Sequence, residues 1–164
     1  MLELGDTAPD FTLQGIRGAE SSDIETVTLS ERLETGPAVL NFYLFDFHPE
    51  CRRNVCELHD LAWFDLDEQV HTFGISTDSV FSHGEFARQE GLEYPLLSDN
   101  DGSVAESYGI LTDERQGHRR VARRAVFVVD QTGSVRYRWV ADAPDEQPEW
   151  EAIKDVVDDV KGDS

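Results

Sequence analysis

The sequence predicts an α/β fold in which one mixed β-sheet lies between two layers of helices. Three observations predict it: strand-like and helix-like segments alternate, one central strand is apolar almost throughout, and the last two strands flank a short turn. Such an apolar strand is buried on both faces, which requires helices on both sides of the sheet. At 164 residues the chain is expected to be one domain, residues 1–164.

The N-terminal region is expected to form a β-hairpin. Gly15–Asp23 is polar and rich in glycine and serine, and we predict it to be the surface loop of this hairpin. Val27–Leu29 has the residues of a short strand. Ser30 is a favourable N-cap residue for a helical turn, which Gly36 and Pro37 then end.

The central strand is predicted over Ala38–Phe45, and Asp46–Pro49 ends it. Pro49 suits the first turn of a helix, where its missing N–H has no helical partner to lose. A helix is predicted over Cys51–Gln69, because Val55, Leu58, Ala62 and Leu66 recur at three- and four-residue spacing. A central strand that leads into a helix with a cysteine in its first turn is the thioredoxin-like arrangement.

The rest of the chain continues the alternation. Four further strands are predicted, within Val70–Ser76, Leu92–Leu97, Ala125–Asp130 and Val135–Val140. Three further helices are predicted over Asp78–Gln89, Val104–Tyr108 and Pro148–Val160.

Composition excludes two classes of partner. The formal net charge is −20, from 34 acidic and 14 basic residues, so the surface repels nucleic acid and anionic membranes. Only two residues are lysines, Lys154 and Lys161, and this acid-rich, lysine-poor composition is typical of salt-loving archaea. The segment Met1–Asp10 has no signal-peptide character and no apolar run is long enough to span a membrane, so we expect a cytoplasmic location.

The two cysteines, Cys51 and Cys56, indicate redox or metal chemistry, because cytosolic thiols are normally kept reduced. Cys51 is predicted in the first turn of a helix, where free backbone N–H groups and the helix dipole favour a negative charge. A thiol there is acidified, and its thiolate can attack a peroxide O–O bond to give a sulfenic acid. A second thiol nearby can then condense with that sulfenic acid.

A bond between Cys51 and Cys56 would require a change in the helix. Five residues apart in a regular helix, their Cα atoms would be about 8–9 Å apart, whereas disulfides need less than about 7 Å. We therefore hypothesise a cycle in which the first helical turns unwind when the disulfide forms.

Two other interpretations of the cysteines remain open. Either thiol could be an inert residue packed on the apolar face of a helix. Alternatively, His48, Cys51, Cys56 and His59 form a possible zinc site, although their spacing matches no common zinc finger.

Six segments together resemble the peroxiredoxin family, nearest its bacterioferritin-comigratory-protein branch. The resemblance runs from Leu4 to about Tyr137 and includes the position of the second cysteine, Cys56. The segments are Gly5–Leu13, Phe42–Cys51, Cys56, Gly74–Asp78, Tyr94–Asp99 and Arg124–Asp130.

The resemblance implies a thioredoxin-like fold, reduction of hydrogen peroxide or organic hydroperoxides, recycling by a thioredoxin-like reductant, and no metal or organic cofactor. It implies that Cys51 attacks, Cys56 resolves, Pro49 shields the thiolate and Arg124 stabilises the charge that develops on the peroxide. It leaves the choice between a monomer and a homodimer open. The alternative for Arg124 is a surface arginine.

The active-site segment departs from the family pattern P-x-x-x-(T or S)-x-x-C. Leu44 replaces the first proline and His48 the hydroxyl residue, and Arg52 and Asn54 are also unusual there. We expect His48 to line the pocket, where an imidazole can also donate and accept hydrogen bonds, or else to be a helix cap or surface residue. These changes keep a second function open: a thiol–disulfide exchange or redox-sensing protein on the same fold.

Overall fold

The structure is a computed structural model that describes residues 2–17, 24–47, 70–92, 94–115, 118–141, 146 and 148–161. Within these ranges it has nine strands: β1 Thr12–Arg17, β2 Ile24–Thr28, β3 Ala38–Phe42, β4 His71–Ser76, β5 Pro95–Ser98, β6 Leu111–Arg115, β7 His118–Ala122, β8 Ala125–Val129 and β9 Val135–Val140. The helices in the same ranges are α1 Leu29–Arg32, α2 Val80–Glu90, α3 Ser103–Ser107 and α4 Trp150–Lys161.

Seven of the strands form one mixed sheet in the order β2-β1-β5-β4-β3-β8-β9. The central strands β3, β4 and β5 run parallel, and the flanking pairs are antiparallel. The predicted α/β thioredoxin-like sandwich with a mixed sheet is therefore confirmed, and the N-terminal hairpin of β1 and β2 is part of the same sheet.

Two apolar cores lie on opposite faces of the sheet. Along β3, Ala38, Leu40 and Phe42 pack in the core that contains α1 and α3, whereas Val39 packs in the core that contains α2 and α4. This alternation follows from the two-residue period of a strand. It explains why β3 is buried throughout and reads as one continuous apolar run.

Gly15 was predicted in a loop, and this expectation was wrong: it lies in β1, paired with Glu25 on one side and Leu97 on the other. A Cβ atom at Gly15 would lie 2.5 Å from Leu97 Cδ2 and 3.1 Å from the Leu96 carbonyl oxygen. Glycine is present because β5 approaches the backbone closely, and not because the chain turns.

Two further expectations differ from the structure. The central strand ends at Phe42 instead of Phe45, because the chain after Tyr43 turns to make hydrogen bonds with the segment before α2. The hairpin of β6 and β7 was not predicted. The predicted helix over Cys51–Gln69 lies outside the described residues, and in the described ranges no helix is long and apolar enough to cross a membrane.

Candidate active site

The candidate site lies at the edge of the sheet where β3 and β4 end. From this edge the segment Tyr43–Phe47 leads toward Cys51. Four of the predicted site residues, His48, Pro49, Cys51 and Cys56, lie outside the described residues, as does His59 of the possible zinc site. The fifth predicted site residue, Arg124, is described.

Arg124 lies at the same edge of the sheet as the start of that segment. It directly precedes Ala125, which pairs with Phe42 at the end of β3. The side chain is only 4% exposed. Its Nη2 donates a hydrogen bond to the Glu146 carbonyl oxygen at 2.8 Å, and its guanidinium carbon lies 5.8 Å from the centre of the Trp139 ring. Arg124 is therefore a buried cation and not a surface arginine.

A buried polar network lies after β3 and was not predicted from the sequence. Its centre is the Asp46 carboxylate, which contacts His83 Nδ1 at 2.8 Å through Oδ2 and at 3.0 Å through Oδ1. The Tyr43 hydroxyl donates to Oδ1 at 2.7 Å, and the Ser82 hydroxyl donates to Oδ2 at 2.8 Å. On the far side of the ring, His83 Nε2 donates to the Leu97 carbonyl oxygen at 2.9 Å.

Asp78 ties the backbone of this segment to the loop between β4 and α2. Its Oδ2 accepts hydrogen bonds from the Asp46 N–H at 2.8 Å and from the Ser76 hydroxyl at 2.6 Å. Burial and the Asp46 charge raise the pKa of the Asp78 carboxyl, although these hydrogen bonds and His83 oppose the rise. Helix α2 then begins at Val80, two residues after Asp78, with Ser79 as its N-cap.

Asp46, Asp78 and His83 also have the donor types of a metal site, with ligand atoms within 4.8 Å of one another. Each of the three side chains already has a protein hydrogen-bond partner within the network, however. Hydroxyl, ring and backbone N–H groups supply the partners of the two carboxylates. Hydrogen bonds among the protein's own groups therefore account for the close approach of these three side chains.

The residue after Asp46 has an unusual backbone. Phe47 has φ = +68°, in the left-handed region that bulky residues rarely occupy. Its ring packs edge-on against Phe86 of α2, with 5.1 Å between ring centres. Phe47 is the last described residue before His48, and its conformation redirects the chain that leaves β3. Local backbone strain of this kind is common at functional sites.

The fold, with a buried arginine beside the end of the central strand, defines a class of protein: the thioredoxin-like α/β proteins. The model of the AhpC/TSA family matches residues 4–138. The chain therefore belongs to the AhpC/TSA family, which confirms the resemblance to peroxiredoxins, and it is a thiol-dependent peroxidase. Membership implies a peroxide substrate and a thioredoxin-type reductant.

Individual relatives agree with this assignment. The chain is 34% identical over 140 residues to alkyl hydroperoxide reductase E of Mycobacterium tuberculosis, covering 84% of each chain. It is 30% identical over 142 residues to peroxiredoxin Bcp of Bacillus subtilis, covering 84% of this chain and 85% of that one. Among solved structures, peroxidoxin BcpB of Mycobacterium tuberculosis superposes with a TM-score of 0.76 at 30% identity over 95% of both chains. The AhpC of the same organism, at 22% identity, supports the fold alone, with a TM-score of 0.82 over 100% of this chain and 96% of that one.

Proposed function

We propose that the peroxidase reaction uses Cys51 as the attacking thiolate, Cys56 as the resolving thiol and Arg124 as the group that stabilises developing negative charge. Pro49 shields the thiolate from water, and His48 lines the pocket. The substrates are hydrogen peroxide or organic hydroperoxides. This assignment of roles goes beyond family membership.

The observation that carries the proposal is the position of Arg124. A buried guanidinium at the edge where β3 ends is directed by its neighbours toward one side of the sheet, the side of Trp139 and the α2–α4 core. The chain that leads to Cys51 leaves β3 at this edge. A fixed cation stabilises the negative charge on a leaving alkoxide most where water is excluded, since the local dielectric constant is low.

The reaction then proceeds in three steps. The Cys51 thiolate attacks one peroxide oxygen, the O–O bond breaks, and the leaving alkoxide or hydroxide takes a proton to become an alcohol or water. The Cys56 thiol next attacks the Cys51 sulfenic acid, which forms the disulfide and releases water. A dithiol of the thioredoxin type finally reduces that disulfide and is itself oxidised.

Two other functions would give different results. Stopped-flow mixing with hydrogen peroxide, followed by tryptophan fluorescence, should show fast oxidation of the wild-type protein and none after Cys51→Ser. Slow oxidation of Cys51, together with fast exchange with disulfides, would favour a thiol–disulfide exchange or redox-sensing protein. A zinc-bound structural protein would contain about one zinc per chain and unfold with a chelator.

The resolving role of Cys56 has its own test. The Cys56→Ser variant should still be oxidised once by peroxide, and its sulfenic acid should be trapped by a dimedone reagent, but it should not turn over with thioredoxin. Wild-type protein should lose helical circular dichroism when the disulfide forms, because the bond requires unwinding. Full turnover of the Cys56→Ser variant would contradict this role.

We also propose a cytoplasmic protein adapted to high salt, acting as a monomer or a homodimer. The net charge of −20 and the presence of only two lysines support the salt adaptation. Light scattering at molar and at low salt measures the oligomeric state directly.

A further inference from the structure

Two exposed aromatic side chains lie at the edge of the sheet where β3 and β4 end. Phe81, in the first turn of α2, is 78% exposed, the highest value among the large apolar side chains of the described residues, and Phe47 is 41% exposed. The hydrogen bond from Ser82 Oγ to Asp46 Oδ2, at 2.8 Å, joins the residues next to them in sequence. Phe81 and Phe47 therefore belong to one surface, which we call the aromatic patch.

The aromatic patch carries little charge although the chain is strongly acidic. Ser79–Gly84, at the start of α2, includes no acidic residue, lysine or arginine. One turn further along α2, Glu85 accepts a hydrogen bond from Arg88 Nε at 3.0 Å, so these two charges offset each other. Of the nearby carboxylates, Asp46 is buried and Asp78 is half-buried. The patch thus resembles the cores of protein interfaces, where aromatic residues are frequent and charged residues are few.

The area of the aromatic patch is too small for a stable dimer. With about 200 Å² for a phenylalanine side chain, the exposed parts of Phe81 and Phe47 amount to about 240 Å² together. A stable interface buries about 800 Å² on each partner, whereas transient redox complexes lie at the lower end of interface sizes. The area of the patch is that of the apolar centre of a short-lived contact.

The aromatic patch also lies near the reacting cysteine. Phe47 precedes Cys51 by four residues, and a fully extended chain of that length spans at most about 14 Å. A transient redox interface of about 600 Å² on each partner has a radius of about 14 Å if it is circular. A partner whose thiol touches Cys51 thus covers surface at the distance of the patch.

We propose that the aromatic patch is the docking surface for the reductant, a dithiol protein of the thioredoxin type, with Phe81 as the apolar anchor. The proposal rests on the proposed Cys51–Cys56 disulfide. In the docked complex one thiolate of the reductant attacks this disulfide and forms a mixed disulfide, which the second thiol of the reductant then displaces. Two electrons and two protons pass to the cysteines, which become thiols again, and the reductant leaves as a disulfide.

The test separates reduction by a protein from reduction by a small dithiol. Wild-type protein and Phe81→Ser are oxidised with a stoichiometric amount of hydrogen peroxide, and the disulfide is then reduced by dithiothreitol or by pre-reduced thioredoxin, each followed by stopped flow. Because Phe81 is exposed, Phe81→Ser leaves the core intact, and it should react with peroxide and with dithiothreitol at wild-type rates. Its second-order rate constant with thioredoxin should fall by about tenfold, as when an interface loses an aromatic anchor. Phe81→Leu, which keeps an apolar side chain, should lose much less.

Leu4→Ser is the matched control. Leu4 is also exposed, by 63%, but it lies at the other end of the sheet, where β3 begins. The next residue, Gly5, donates a hydrogen bond to the Val135 carbonyl oxygen at 2.9 Å, and Val135 pairs with the end of β8 that lies beside the start of β3. This variant should keep the wild-type rate constant with thioredoxin.

Several results would overturn the proposal. They are an unchanged rate constant of Phe81→Ser with thioredoxin, an equal loss with dithiothreitol, and an equal loss in Leu4→Ser. A lower molar mass of Phe81→Ser than of wild type in light scattering would assign the patch to a second copy of this chain, and so would also overturn it. The same holds if dithiothreitol reduces the wild-type disulfide and thioredoxin does not. A wild-type protein that forms no disulfide with peroxide contradicts the proposed function instead.

Discussion

At the scale of single residues, Arg124 is the described side chain whose removal should affect chemistry most. We expect Arg124→Ala to lower the rate constant for peroxide attack by about 10²–10³-fold, the usual effect of removing one group that stabilises transition-state charge. Arg123→Ala is the control. Arg123 is the preceding residue, and its guanidinium also donates a hydrogen bond to a backbone carbonyl, but to that of Ala141, at 2.8 Å. Equal losses in both variants, measured by stopped flow, would contradict a specific role for Arg124.

Asp78 should make the stability of the fold depend on pH. Its folded-state pKa is raised, first by burial and then by Asp46, so its contribution to stability is greatest below the unfolded pKa and is lost as the pH rises through the folded value. Both hydrogen bonds that it accepts, from Asp46 N–H and the Ser76 hydroxyl, end on one oxygen, Oδ2. An asparagine can therefore keep both without the charge.

We thus expect Asp78→Asn to raise the Tm at neutral pH, by about 2–4 °C for each kcal/mol in a chain of this size. The gain should vanish in acid, where the wild-type carboxyl is already protonated. Asp78→Ala, which removes both acceptors, should instead be less stable than wild type at neutral pH. A gain for Asp78→Asn that is the same at every pH would show that its charge is not the cause.

At the scale of elements, β1 and β5 depend on one glycine for their close approach. Gly15→Ala would bring a methyl group to 3.1 Å from the Leu96 carbonyl oxygen, a backbone atom that cannot rotate away. Overpacking of this kind costs about 1–3 kcal/mol, and thermal unfolding measures it. Gly84→Ala in α2 is the control, since its Cβ would meet only the flexible end of Ile16 and helix propensity favours alanine by about 1 kcal/mol. A neutral Gly15→Ala variant would contradict the packing explanation.

The sequence predicts those elements whose side-chain pattern is set by burial. The run beginning at Ala38 predicts β3 because both faces of that strand are covered, and Ala125–Val129 predicts β8 for the same reason. The hairpin of β6 and β7 lacks such a pattern: the residues between Leu111 and Ala122 are mostly charged and polar, so no apolar run or alternation marks its two strands in the sequence. Gly15 was misread because a glycine in a strand and one in a loop look the same in sequence.

The candidate site could be predicted only where one element carries the signal. Arg124 stands directly before an evident strand, so its position at the sheet edge follows from the sequence. The Asp46–His83 pair does not, because its members are 37 residues apart and meet only when β3 and α2 pack. A buried histidine on an apolar helix face and an aspartate after the central strand were the available signals, and neither indicates the other.

At the scale of the whole molecule, the net charge of −20 should make stability depend on salt. Helix α4 carries a pair of carboxylates that should repel each other. Asp155 and Asp159 are exposed and four residues apart on one face, and they lie in the half of the helix where the dipole disfavours negative charge. We expect the Tm to rise with KCl as the Debye length falls from about 10 Å at 0.1 M to about 3 Å at 1 M. The double variant Asp155→Asn/Asp159→Asn should be more stable than wild type at low salt, by about 0.2–0.5 kcal/mol for the repulsive pair, with a smaller further gain from KCl. Chloride is the salt to use, because sulfate also stabilises proteins by its exclusion from their surface. If the Tm of the variant and that of wild type depend on KCl in the same way, repulsion between these two carboxylates is not part of the cause.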